Sequence, residues 1–183
     1  MLPTLHTQRL LLRPLELADA AQVQQLFPHW EIVRYLSARV PWPYPPDGAF
    51  TFYRDMALPA MERGDEWHWM LCLKTHPEQI IGGIDLIKGE HKNRGFWLGL
   101  RWHGQGLMSE ACDVVNDYWF EVLKFPVLRA PKAIANVASR RISEKQGMRV
   151  VERVERDFVC GRLPAEIWEI TADEWRARRT RPR

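Results

Sequence analysis

Arg94-Gly95-Phe96-Trp97-Leu98-Gly99-Leu100-Arg101-Trp102-His103-Gly104-Gln105-Gly106-Leu107-Met108-Ser109-Glu110-Ala111-Cys112 changes character twice within one short stretch. Phe96, Trp97, Leu98 and Leu100 suit a buried strand. Gly104 and Gly106 admit backbone angles closed to other residues, and Leu107 opens an amphipathic helical pattern. In a turn of this kind the amides point outward together, and the unpaired N–H groups of the helix start add to them. The stretch predicts an anion site that needs no lysine and is large enough for a pyrophosphate.

Towards the C-terminus, Leu107, Ala111, Val114, Val115, Tyr118, Val122 and Leu123 recur at three- and four-residue spacing, a core-facing helix stopped by Pro126. Residues 127–134 read as a strand with Pro131 inside it, and residues 136–147 as a helix capped by Asn136 and closed by Gly147. Residues 148–159 and 164–171 form a hairpin about Gly161. Towards the N-terminus, residues 93–100, 79–87 and 66–73 make an antiparallel meander, with His68 read as an outward residue between Trp67 and Trp69. Before it come a helix from Asp47 to about Glu62 closed by Gly64, a short helical piece from Glu31 to Leu36, a helix after Asp19 and an opening strand over residues 8–15. Val40-Pro-Trp-Pro-Tyr-Pro-Pro46 between them is a stiff aromatic loop. One helix joins strand 94–100 to strand 127–134, the connection of parallel neighbours. Because Pro131 has no N–H, these strands are expected to part beyond the glycine turn and leave backbone groups for an extended ligand.

With 183 residues, 46% of them hydrophobic, the chain can bury one sizeable core. A single domain over residues 1–175 is expected, with an Arg-rich tail over 176–183 free to fray. The net charge of +3 resides in that tail: its five arginines removed, 21 basic residues face 23 acidic ones and the body carries −2. Nucleic acid is therefore not an expected partner. Cys72, Cys112 and Cys160 show neither metal-ligand nor disulfide spacing, so no metal is expected and a reducing, cytoplasmic setting is. No stretch approaches the roughly 18 apolar residues of a membrane span.

Arg101-Trp-His-Gly-Gln-Gly106 resembles the Gln/Arg-x-x-Gly-x-Gly/Ala acyl-CoA loop of the GNAT acetyltransferase superfamily, and Gly104 to Ala111 resembles its RimJ/RimL-like N-acetyltransferase branch. Gln8-Arg-Leu-Leu-Leu-Arg-Pro-Leu15 is similar to the opening strand of that branch, and Asn136-x-x-Ser139 with Glu144-Lys-x-Gly-Met148 to its last core helix. The resemblance implies an α/β (α+β) GNAT fold: a mixed, mostly antiparallel sheet of six to seven strands, helices on both faces and a splayed parallel pair forming the acyl-CoA cleft. It implies acetyl-CoA as donor, CoA as product and a primary amine as acceptor, on a peptide or protein N-terminus or a small molecule. Monomer and homodimer both fit.

Carried over by position, Leu98, Gly99 and Leu100 offer backbone groups to the pantetheine. Arg101, Trp102, His103, Gly104, Gln105 and Gly106, with Leu107, hold the pyrophosphate, Asn136 bonds the pantetheine, Ser139 sits beside it, and Arg140 reaches towards the 3′-phosphate. The amine attacks the thioester directly once both are held in line, leaving the protein to accept one proton and supply another. Where many members of the superfamily carry a tyrosine that protonates the thiolate, this chain has Ser143; Ser143 or Ser139 is the candidate donor. The run 93–96 lacks the carboxylate found in many relatives. Glu166 is the first candidate base, with Asp85, His68 or a water chain as alternatives. Trp42 or Tyr44 is expected at the acceptor entrance. Two other readings are a non-catalytic acyl-CoA sensor, since those two groups are missing, and a ribosome or RNA interaction protein using the basic tail.

Overall fold

Alternating apolar residues and glycine punctuation fold into eight strands in two antiparallel sheets, seen in a computed structural model that describes residues 2–180. Strands β1 (Leu5–His6), β2 (Leu10–Pro14), β3 (Glu66–Leu73), β4 (His76–Ile87) and β5 (Arg94–Leu98) lie side by side in chain order. Strands β6 (Val127–Ala133), β7 (Arg149–Phe158) and β8 (Gly161–Thr171) form the second sheet, with β8 in the middle. The register of the first sheet sets His68 opposite Asp85, and Asp85 opposite Gly95.

The two-residue period of β3 sends its side chains into two cores. Trp69 and Leu71, with Leu10 and Leu12 of β2, pack on Leu107, Ala111, Val115 and Trp119 of helix α4 (Leu107–Asp117, continued by a π-helical turn Tyr118–Val122). Met70 and Cys72 face the other way, onto α1 (Ala20–Leu26), α2 (Trp30–Val33) and α3 (residues 48–63). Helix α3 runs as Gly48–Phe52, a π-helical turn Tyr53–Ala57, and Leu58–Arg63. The wide turn ends beside Pro59, whose ring cannot donate to a carbonyl one turn back. Gly64 closes the helix in the left-handed conformation, as its position predicts.

The backbones of the two sheets join ahead of β5, where Asn93 N–H donates to Arg129 O (2.7 Å) and Arg129 N–H to Asn93 Oδ1 (2.7 Å). Beyond it β5 and β6 share no ladder. Pro131, two residues on from Arg129, presents the same strand edge towards β5 and has no N–H to offer there. The expected splay is present, and it divides the strands into two sheets of eight in all, where one sheet of six to seven was expected. Strand β5 also ends at Leu98: Leu100–Trp102 is a 3₁₀ turn folded under Gly99, where a Cβ would meet the Trp102 ring at 2.7 Å.

The frayed tail expected over 176–183 is corrected. Residues 172–179 form helix α6 (Ala172–Arg179), opened by a Thr171–Glu174 capping box. Trp175 is buried and donates to Asp117 Oδ1 (2.8 Å), Arg176 pairs with Glu121 (2.8 Å) and Arg179 with Asp117 (2.7 Å). Arg181, Pro182 and Arg183 lie outside the described residues. Helix α5 (Val137–Lys145) fills the space between β6 and α4.

Candidate functional site

Gly104 (φ 73°) and Gly106 (φ 75°) both sit in the left-handed region, so the chain turns twice between β5 and α4. Among the described residues, none of the amides of Gly104, Gln105, Gly106, Leu107, Met108 or Ser109 donates a hydrogen bond within the protein; the first amide of this run to do so is that of Glu110, to Gly106 O. Six free donors on a glycine turn and a helix N-terminus form an anion cradle. The turn is held from behind by Arg9, which donates to Gln105 O (3.0 Å) and pairs with Glu110 (2.8 Å). Glu110 also accepts from the Arg9 amide (2.8 Å) and the Thr7 hydroxyl, and these bonds keep its carboxyl below the usual glutamate range against the opposing effect of burial.

A cleft of about 410 Å³ begins at this turn and runs between β5 and β6. Its floor includes Phe96, Leu98, Pro131 and Lys132, and α5 contributes Asn136 and Ser139. The opposite wall comes from residues 31–32 and 34–37, held against the β7–β8 hairpin by Val159 N–H to Leu36 O (3.0 Å) and Cys160 N–H to Arg34 O (3.1 Å).

The profile of the acetyltransferase (GNAT) domain matches residues 9–149. The chain belongs to the GNAT acetyltransferase family. It is accordingly an acetyl-CoA-dependent N-acetyltransferase. It is 26% identical over 146 residues to the uncharacterized N-acetyltransferase YnaD of Bacillus subtilis (strain 168), covering 78% of this chain and 81% of YnaD. The ribosomal-protein-S5-alanine acetyltransferase of Vibrio fischeri superposes with a TM-score of 0.80 at 15% identity, over 94% of this chain and 98% of that one. RimL, the ribosomal L7/L12 alpha-N-protein acetyltransferase solved with coenzyme A, superposes at 0.79 and 14% identity, over 94% and 99%. GNAT acetyltransferases bind acetyl-CoA, and the fold is that of the RimJ/RimL-like branch.

Among the residues assigned by resemblance to this GNAT site, Leu98, His103, Gly104, Asn136 and Ser139 come together on the cleft. Asn136 caps α5, accepting from the Ser139 amide (3.3 Å). His103 Nε2 donates to Leu98 O (2.7 Å), so that carbonyl is engaged before any ligand arrives. Gly99 uses both its backbone groups internally, with Ile81 O and the Trp102 amide, and the Leu100 carbonyl accepts from His103 N–H. Trp102 is buried under the turn, while Arg101 and Gln105 are exposed.

Glu166 and Ser143 do not reach the cleft. Glu166 is 2% exposed on β8, with its carboxylate held by Arg140 (2.9 Å) and approached by Arg153 (3.7 Å). The same pair engages the guanidinium of Arg140, which was expected to reach towards the 3′-phosphate. Ser143 is fully buried on the inner side of α5. His68 is buried too, contrary to its outward reading, and donates to Glu66 Oε2 (2.6 Å). Opposite it, Asp85 lies across Gly95: a Cβ there would meet the two carboxylate oxygens at 2.8 and 2.9 Å, and Oδ2 is buried without a partner. Tyr44 packs edge-on to Phe27 (5.1 Å), its hydroxyl pushed up to about 12 by burial; Trp42 pairs at the surface with Trp30 (5.6 Å). Neither lines this cleft.

Two cleft residues had no sequence signal. Lys132 is 5% exposed, and its ammonium donates to Ser139 Oγ (2.6 Å) over the Phe96 ring (4.8 Å). Burial, and after it the charge of Arg94, pushes its pKa down to about 7. Arg94, 3% exposed, donates to Asn116 (2.7 Å) and Gln146 (2.7 Å). A lysine in a strand with an interior proline reads as an edge residue facing water, and only the packing of α5 over β6 reverses that. Among the described residues no cluster of three or more His, Cys, Asp or Glu is set to hold a metal, and no helix is long and apolar enough to cross a membrane.

Proposed function

We propose that this N-acetyltransferase binds acetyl-CoA with the pyrophosphate on the amides of residues 104–109, the pantetheine along the splay of β5 and β6, and the thioester beside Lys132 and Ser139. The acceptor is a primary amine, of a peptide or protein N-terminus or of a small molecule, entering over Gly95 from the side of residues 31–37. Acetyl-CoA supplies the acyl group already activated as a thioester. The run of undonated amides opening into a cleft between unpaired strands carries this reading.

Position 95 being glycine leaves Asp85 within reach of that entry, and Asp85, directly or through one water, accepts the proton lost by the ammonium. Ser139 donates its hydroxyl proton to the departing sulfur. The Lys132 ammonium, already bonded to Ser139 Oγ, replaces that proton, and an ammonium whose pKa lies near neutrality gives it up readily. Glu166, neutralised by Arg140, organises β8 and α5.

Thiol release from acetyl-CoA, screened against dipeptides, polyamines and amino acids, tests the reading, with Asp85→Asn and Ser139→Ala measured beside the unmodified protein. Turnover with any amine removes the sensor-only reading. A protein that fails to bind CoA refutes the proposal.

A further inference from the structure

Among the described residues, neither of the two buried cations at the inner end of the cleft is paired with a carboxylate. Arg94 gives one N–H₂ group to the amide oxygens of Asn116 and Gln146 and the other to the Met148 sulfur (3.8 Å), while its Nε is buried without a partner. Among the described residues Lys132 Nζ bonds the Ser139 hydroxyl alone, leaving two of its three N–H donors unused. Both line the cleft, and both lie within 6 Å of the centre of the Phe96 ring, the guanidinium at 5.9 Å and the ammonium at 4.8 Å. Asp113 reaches this group only through Gln146 (3.1 Å). Buried charges are as a rule paired, and a like-charged pair at the end of a ligand cleft is an incomplete site.

We infer that Arg94 and Lys132 form a carboxylate-binding site at the inner end of the cleft, filled in the ternary complex by a substrate carboxylate. The inference rests on the proposed placement of the thioester beside Lys132 and Ser139. Two sources have the required chemistry. One is the free end of a short dicarboxylic acyl group on the CoA thioester, used beside the acetyl group; about 4 Å separates the thioester carbon from the far carboxyl carbon of a four-carbon chain. The other is the carboxylate of an amino-acid-like acceptor. In either case the amine nitrogen bonds to the thioester carbon, the C–S bond breaks, one amine proton goes to the base and one proton from Ser139 goes to sulfur. The carboxylate itself is unchanged. A guanidinium edge with a free Nε and an adjacent ammonium match the two oxygens of that group.

Calorimetry on the full chain separates the sources. On the donor arm, affinities for succinyl-CoA and malonyl-CoA are compared with acetyl-CoA. On the acceptor arm, the CoA-bound protein is titrated with glycine and β-alanine against their amides. At least a tenfold preference for the carboxylate-bearing partner is expected on one arm, collapsing to below threefold in Arg94→Met and in Lys132→Met and persisting in Arg94→Lys. Preferences below tenfold on both arms in the unmodified protein would overturn the inference, whatever the fate of the variants. So would a preference that survives both methionine substitutions. Selective binding without thiol release from any donor–amine pair would instead sink the transfer reading and leave the carboxylate site standing.

Discussion

Gly104→Ala separates the backbone role of the glycine turn from its role in binding. The residue sits at φ 73° with nothing within 4 Å of an added Cβ, so the methyl group meets only strain and whatever ligand occupies the turn. An L-residue in the left-handed region costs about 1–2 kcal/mol, and the stiffer unfolded chain returns about 0.4–1 kcal/mol. The net loss is about 0.5–1.5 kcal/mol, which for a domain of this size lowers Tm by roughly 1–6 °C. Gly64 supplies the matched control: at φ 72° it closes α3 with nothing within 4 Å of its Cβ position, and it is not among the cleft-lining residues. Gly104→Ala and Gly64→Ala are therefore expected to lose similar thermal stability by differential scanning fluorimetry. In calorimetric titration with CoA only Gly104→Ala weakens binding, by about tenfold or more, the equivalent of about 1.4 kcal/mol. Equal CoA affinity in the two variants would refute the assignment of the pyrophosphate to this turn.

Asp85→Asn is expected to lower kcat by about 10²-fold or more while CoA affinity holds, with Glu166→Gln changing kcat less than threefold; steady-state kinetics with the reverse order would return the base to Glu166. Glu110→Ala removes bonds to Thr7 and to the amide and guanidinium of Arg9, and a loss of about 2 kcal/mol, or roughly 4–8 °C in Tm, is expected; an unchanged Tm contradicts the bracing role. Lys132 has a folded pKa of about 7, below its ordinary 10.5, so between these values the unfolded chain holds a proton that the fold does not, and stability rises with pH. The Tm difference between the unmodified protein and Lys132→Met should move in favour of the former from about pH 6.5 to about pH 9; a constant difference would show that the ammonium is not destabilised by burial.

What was legible in the sequence follows interaction range. The turn at 104–106, helix α4 after it, the cap at Asn136 and the stops at Gly64 and Gly147 are set by neighbours within a few residues, and they stand where local pattern places them. The parting of β5 from β6 was legible because a single residue, Pro131, removes a donor. Burial of Lys132, Arg94 and His68 was not, because strand alternation assigns faces without saying which faces are covered on both sides. Glu166 was misplaced for a related reason: its partner Arg140 is 26 residues away on another element. Helix α6 did leave a local signal, the Thr171-Ala-Asp-Glu174 capping box ahead of Trp175, which the run of arginines masked.

The brace on the phosphate turn also bears on the order in which the molecule assembles. Arg9 and Glu110 are 101 residues apart, so the contact ties the residue just ahead of β2 to the helix that follows the last strand of the first sheet. Without that contact the turn keeps its local bonds, His103 to Leu98 O and Gln105 to Arg101 O, but lacks its long-range brace. CoA binding during refolding is therefore expected to appear with this long-range contact rather than with helix α4, and stopped-flow binding that tracks the early rise of helical signal would contradict it. A fragment beginning at β3 would retain every glycine and amide of the turn while lacking Arg9, which braces it.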